Sequence, residues 1–287
     1  MIRMALLVVL LLASAAFGAL WAAGLREKQW INEDRVRIHR FVKRGTLGVD
    51  YFTPFDDHSG RDVHIALAGL KIDSVHGVFG PRFDPSSPDE SERRYAIDAY
   101  RAEADLAVAL DAPMVVVHPA PQIPEGTSMV DTSQERRNAA LERSIRELAD
   151  IGHAAGVTFL IENLPPNFLA GGDPAQLAAV IRHFNHPRIR MCFDTGHAHI
   201  SGDAPAAFEA SLDVIAYLHI SDNDSRRDAH QVPGEGSCPF DRLAPHMARL
   251  GPGVSAMLEL FESPQSLEEH LANCLPGRLA RWFATGK

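Results

Sequence analysis

Six residues able to bind a metal or move a proton end, or closely follow, short apolar runs of this chain: His76, His118, Glu162, Asp194, His219 and Glu259. The runs are Lys71–Phe79, Met114–His118, Val157–Glu162, Ile189–Asp194, Val214–His219 and Val254–Leu260. One polar residue closing one apolar run is ordinary turn chemistry. Recurrence at equivalent places points instead to side chains that converge. Glu162, Asp194, His219 and Glu259 close consecutive runs, so their ends would line one side of a shared mouth. Mixed carboxylate and imidazole donors suit Mn, Zn, Co or Fe rather than Ca. These donors suffice for one divalent metal with positions left open for substrate or water. His76 and His118 are either further ligands or groups that hydrogen-bond substrate and orient the carboxylates.

The elements that must position these residues follow from the same runs. They are short, rich in β-branched or large apolar residues and mostly continuous, as are strands buried on both faces of a parallel sheet. Helical patterns separate them. Ser91–Leu110 spaces Ala96, Ala99, Ala102, Leu106 and Leu110 by three and four; Ser133–Ala155 does so with Leu141, Ile145, Leu148 and Ile151, and Gly156 is its stop signal. Pro174–Phe184 opens on proline, and Pro264–Phe283 is expected to split at Pro276. Strand–helix alternation predicts an α/β fold, a single (β/α)8 TIM barrel whose site lies at the C-terminal ends of the strands. Gly45–Phe52 supplies a further strand, and Ile31–Lys43 reads as a helix ahead of it. An eight-fold ring then needs one more strand upstream, for which Ala5–Leu11 is the available material. The same segment carries no charge from Met4 to Leu25 and follows Arg3, so it equally suits a signal peptide or membrane anchor. The expected organisation is an apolar segment 1–25 followed by one catalytic barrel, 26–287.

Ile161-Glu162-Asn163, Asp194-Thr195-Gly196-His197, Leu218-His219-Ile220-Ser221-Asp222 and Leu258-Glu259-Leu260 resemble the xylose-isomerase-like TIM-barrel superfamily. This superfamily holds sugar and sugar-phosphate isomerases and epimerases, inosose dehydratases and the type IV apurinic endonucleases. The resemblance runs from about residue 45 to the C-terminus. It implies that Glu162, Asp194, His219 and Glu259 bind one divalent metal (Mn, Mg, Co or Zn) and that Glu162 and Glu259 carry the proton transfers. Asp228-Ala-His230 followed by Gly234-Glu235-Gly236 matches a pattern shared by the endonucleases and many isomerase-like members. By the same resemblance His76, His118, His197, Asp228 and His230 are additional metal ligands or orienting residues. His199 reads as structural, Glu235 as a loop residue, and Arg226 and Arg227 as a solvated pair or a contact to substrate.

The expected activity is therefore isomerisation or epimerisation of a sugar or sugar phosphate, by proton transfer through an enediolate. The alternatives are metal-dependent phosphodiester hydrolysis of the apurinic-endonuclease type and a non-catalytic sugar- or metal-binding barrel. A net charge of -9 without a run of Lys and Arg counts against a long polyanion, so no nucleic acid partner is expected. Cys192, Cys238 and Cys274 are few and widely spaced, which favours reduced thiols. A cytoplasmic location is expected, or export or membrane anchoring through residues 1–25, with membrane contact only in that case. A homo-oligomer is compatible with the fold.

Overall fold

The computed structural model describes residues 37–43, 46–52, 72–123, 134–251, 253–261, 269–270, 273 and 275–283. Its strands are β1 (Arg37–Lys43), β2 (Thr46–Phe52), β3 (Ile72–His76), β4 (Met114–Val117), β5 (Thr158–Glu162), β6 (Ile189–Asp194), β7 (Ile215–Ile220) and β8 (Ser255–Leu258). They close into a barrel in sequence order. Neighbours from β2 to β8 are parallel, whereas β1 runs antiparallel to both β2 and β8.

The expected α/β barrel is present, with one correction at its seam. The stretch read as a helix, Ile31–Lys43, contains strand β1, which pairs with β2 from Arg37↔Phe52 to Lys43↔Thr46. The physical reason is non-local: β1 gains two ladders, one of them to β8 at the other end of the chain, and such pairing overrides a local helical pattern. The eighth place in the ring is thus taken by Arg37–Lys43, and Ala5–Leu11, with all of Met4–Leu25, lies outside the described residues. Among the described residues no helix is long and apolar enough to cross a membrane.

Helices pack around the barrel: α1 (Glu90–Ala109), α2 (Gln134–Ala155), α3 (Pro174–Phe184), α4 (Thr195–Ser201), α5 (Ala204–Ser211), α6 (Phe240–Met247) and α7 (Leu275–Phe283). Their ends are encoded locally. Asp89 caps α1 by accepting from Ser91 N and Glu92 N, a cap worth about 1 kcal/mol. Asp173 does the same for α3, which ends on Asn185 in the left-handed region. Gly156, at φ 77°, stops α2 where expected. Pro276 lies within α7.

Strand alternation builds two cores. Outward residues such as Val115, Val117, Phe159, Ile161, Met191, Phe193, Leu218 and Leu258 join the layer under the helices. Inward residues Met114, Val116, Leu160, Cys192, Tyr217 and Met257 fill the barrel itself. The next inward position on each of five strands, two residues on, is His118, Glu162, Asp194, His219 or Glu259. An apolar plug therefore floors the barrel and the polar side chains stand on it.

Candidate metal centre

Glu162, Asp194, His219 and Glu259 each offer one donor atom, and those atoms lie within 4.8 Å of one another in a fully buried setting. His219 stands between the two glutamates. Its Nδ1 is 2.9 Å from Glu162 Oε1, 2.9 Å from Glu259 Oε2 and 4.0 Å from Asp194 Oδ2. Glu162 comes from β5 and Glu259 from the end of β8, with β6 and β7 between them in the ring, and both reach His219. On the far side of Glu162, His118 Nε2 is 3.1 Å and His76 Nε2 3.9 Å from Oε2. His76 donates from Nδ1 to the Gly77 carbonyl at 3.1 Å, which turns Nε2 toward the carboxylate.

A second group lies beside the first. His197, Asp228 and His230 also have donor atoms within 4.8 Å of one another. His197 Nε2 and His230 Nε2 both face Asp228 Oδ2, at 3.2 and 3.1 Å. The opposite nitrogens are fixed by main chain: His197 Nδ1 donates to the Asn163 carbonyl at 2.8 Å and His230 Nδ1 to the Glu259 carbonyl at 3.0 Å. These bonds leave both Nε2 atoms aimed at one point, as outer hydrogen bonds do for ligating histidines. They also tie this outer group to the two strands that carry the glutamates.

Electrostatics explain what the inner group can hold. Burial pushes the Asp194 carboxyl up to about 6; His197 opposes the push, and the charges of Glu162 and Glu259 add to it. Burial would raise Glu162 and Glu259 too, yet His219 holds both well below the usual carboxylate range, helped by His118 at Glu162 and by His230 at Glu259. Burial works against charge on His219, but Cys192, Glu259 and Glu162 outweigh it and hold the imidazole well above its ordinary value. His76 moves the other way, down to about 3, through burial and then the neighbouring His118. Three buried carboxylates thus draw positive charge inward, and Asp194 Oδ2 is buried without a hydrogen-bond partner. A divalent cation satisfies both demands, and the donor set of carboxylates plus imidazole fits one. The outer group has the same character. Burial alone would lower His230, but the hydrogen bond to Asp228 and the nearby Glu259 charge carry it up to about 9.

The family model for xylose isomerase-like TIM barrels matches residues 38–276. The chain belongs to this family. It is 29% identical over 183 residues to an uncharacterized protein of Methanocaldococcus jannaschii, covering 62% of this chain and 60% of that relative. A probable endonuclease 4 of Mycoplasma pneumoniae is 27% identical over 218 residues, with 69% and 71% of the two chains covered. Among solved structures, a D-tagatose 3-epimerase-like protein aligns with a TM-score of 0.60 and 22% identity over 74% of this chain and 80% of its own. An L-ribulose 3-epimerase aligns with a TM-score of 0.61 and 18% identity over 93% and 86%. The chain therefore spans about three fifths of the M. jannaschii relative, and the solved structures share its fold.

Within this xylose isomerase-like barrel, the candidate metal-binding and orienting residues reach the mouth in separable sets. His76, His118, Glu162, Asp194, His219 and Glu259 rise from strand ends. His197 lies in α4, whose first turn is capped by Asp194 through His197 N, and Asp228 and His230 lie in the loop after β7. His199 turns away and pairs with Ser237 Oγ at 2.9 Å, as a structural residue would. Glu235 meets His270 at 3.1 Å. Arg226 and Arg227 are exposed, and their N–H groups bond Asp224 Oδ1. Cys192 and Cys238 are free and buried; Cys274 lies outside the described residues.

Some contributors carried no sequence signal of their role. Asn163 links β5 to β6 by donating to the Asp194 carbonyl and accepting from Asp194 N, at 3.0 and 2.9 Å, which locks the two carboxylates in register. Two phenylalanines flank the mouth. Phe79 stacks on His118 with ring centroids 5.1 Å apart, and Phe261 on His230 at 4.0 Å. Phe79 is 40% and Phe261 61% exposed, unusual for such large apolar side chains. The Asp194-Thr195 helix start was the one available clue to α4; the aromatic walls had none.

Proposed function

We propose that this protein is a metal-dependent sugar or sugar-phosphate isomerase or epimerase, acting by proton transfer next to a carbonyl. The observation that carries this reading is the pair Glu162 and Glu259, two buried carboxylates 2.9 Å from the same His219 nitrogen and reaching it from β5 and β8. Sugar 3-epimerases among the solved structures of the same fold support it. So does the aromatic flank of Phe79 and Phe261, because a pocket with apolar walls and a few convergent polar groups suits a small molecule with C–H faces.

Glu162, Asp194, His219 and Glu259 are the residues that would hold a divalent metal (Mn, Mg, Co or Zn). A cation bound there supplies positive charge beside the substrate oxygens and lowers the cost of removing the adjacent proton. Glu162, ionised, accepts the proton from carbon as the C–H electrons move toward the carbonyl. Glu259, ionised at rest beside His219, takes up a proton from solvent and delivers it to the opposite side of the same carbon. Glu162 returns the proton it accepted to solvent, and the two carboxylates act in the reverse sense on the reverse reaction. His76 and His118 orient Glu162, and Asn163 keeps Asp194 in line with it.

The test is Glu162→Gln and, separately, Glu259→Gln, assayed on a panel of ketoses and ketose phosphates with Mn2+, Co2+ or Mg2+. Each substitution is expected to cut kcat by about 10^3-fold or more while the far-UV circular dichroism is kept. Near-wild-type turnover by either variant would refute the two-base scheme.

A second reading is favoured by one specific observation, the presence of the outer group. With His76, Glu162 and His219 as a third cluster, the mouth offers donor sets for several cations, which suits phosphodiester hydrolysis. The likeness to a probable endonuclease 4 supports the same alternative. Metal analysis of protein purified without chelator separates the two. About one cation per chain favours proton transfer, and about three zinc ions favour hydrolysis.

A further inference from the structure

The loop that carries Asp228 and His230 is held by a residue that touches neither. Asp222, two residues beyond β7, is fully buried, and its carboxylate accepts four main-chain N–H groups. Oδ2 binds Gly234 N at 2.8 Å and Gly236 N at 3.0 Å; Oδ1 binds Cys238 N at 2.8 Å and Asn223 N at 2.8 Å. Its own backbone pairs with Gln231 in both directions, at 2.9 and 2.8 Å. The chain thus leaves at Asp222, makes an excursion containing Asp228 and His230, and is drawn back onto the same residue.

Asn223 extends the clasp to the helix that bears His197. Its Nδ2 donates to the Gly196 carbonyl at 2.9 Å, and its own carbonyl accepts from Ser237 N at 2.8 Å. Space is as tightly set as polarity. A Cβ at Gly236 would collide with the Asn223 carbonyl oxygen and with Asp222 Oδ1. Gly234 sits at φ 89°, in the left-handed region, so both glycines serve the clasp for separate reasons. A buried carboxylate meeting four N–H donors is a strong, charge-assisted anchor, and no neutral residue reproduces its acceptors.

We propose that Asp222 is a positioning residue whose carboxylate clasp sets where Asp228 and His230 meet His197, and so fixes the substrate-facing wall beside the glutamates. The assignment of that wall to substrate rests on the epimerase reading above; the clasp itself does not. His230 is the link between them, since it spans from Asp228 to the Glu259 carbonyl.

Asp222→Asn in the full chain replaces one acceptor oxygen with an amide that cannot accept an N–H. Gly236→Ala pushes on the same clasp from the other side and leaves the carboxylate in place. Both are measured with saturating Mg2+, which is diamagnetic, by hydrogen exchange, by the imidazole Nδ1–H resonances of His197 and His230, and by ketose kinetics. Exchange over 224–238 is expected to rise about tenfold or more in each variant while β6 and β8 stay within about twofold. The His230 Nδ1–H signal should be lost or shifted. KM for the ketose should rise about tenfold with kcat within about twofold, and the double variant should be no worse than the single ones.

Unchanged exchange over 224–238 overturns the proposal. So does a rise shared equally by the barrel strands, which would make Asp222 a general stability residue. An opened loop with an unmoved His230 signal and an unmoved KM overturns it as well. If the wild-type protein turns over no ketose, the epimerase reading fails on its own, and the His230 resonance still decides whether Asp222 positions the wall.

Discussion

The inner and outer groups at the mouth are chemically alike and mechanically different. Glu162, Asp194, His219 and Glu259 stand on a closed sheet, each two residues above an apolar plug residue, and are buried throughout. His197, Asp228 and His230 sit on a short helix and a long loop, and the Asp228 side chain is 34% exposed. The inner group takes its geometry from strand register. The outer group takes its geometry from hydrogen bonds to main chain, at Asn163, at Glu259 and through Asp222. Rigid sheets suit atoms that must hold a cation within tenths of an ångström; loops suit the surfaces that vary with substrate. The two groups should therefore fail in different ways when disturbed.

Asp194→Ala gives the largest expected contrast. It removes an inner donor and the cap of α4 together, and Mn2+ affinity by titration calorimetry should fall about 100-fold or more, with turnover lost. Retention of wild-type affinity would show that the cation sits elsewhere.

Acidification comes next and probes the inner group alone. With no cation bound, burial holds Asp194 up at about 6, so below that value the carboxyl carries a proton that a metal must displace. Mn2+ affinity is expected to weaken about tenfold or more between pH 6 and pH 5 and to go on rising above pH 7, because His219, held well above its ordinary value, must also give up a proton to bind. An affinity flat from pH 5 to 8 would contradict the proposed ligand.

The smallest effect is expected for Asp228→Asn. The inner Mn2+ affinity should stay within about twofold, because Asp228 belongs to the outer wall, while KM rises severalfold. A loss of Mn2+ as deep as that of Asp194→Ala would dissolve the distinction and make the two groups one site.

The same contrast marks what could be read from the sequence. Strands β2 to β8 and helices α1 to α3 were legible because their periodicity is local. Strand β1 was not, since its identity depends on partners at Thr46–Phe52 and Ala256–Leu258. The inner residues were legible as polar endings of apolar strands, and the outer ones through motif resemblance. The anchors of the outer group were hidden for a physical reason: carbonyl and N–H partners belong to every residue alike, so no side-chain type announces them. Asp222 and Asn163 stood within recognisable motifs, yet only the fold reveals which backbone groups they bind. The short helices α5 and α6 lack a long apolar stripe and left no comparable trace.

The two-residue step from plug to donor also bears on how the barrel finds its native alignment. Slipping any one of these strands by a single residue would exchange its faces, sending a carboxylate or imidazole into the hydrocarbon layer beneath the helices and an outward residue such as Phe193 or Leu218 into the mouth. Such a misalignment carries its own heavy penalty, so the polar residues at the mouth also proofread the assembly of the sheet that holds them.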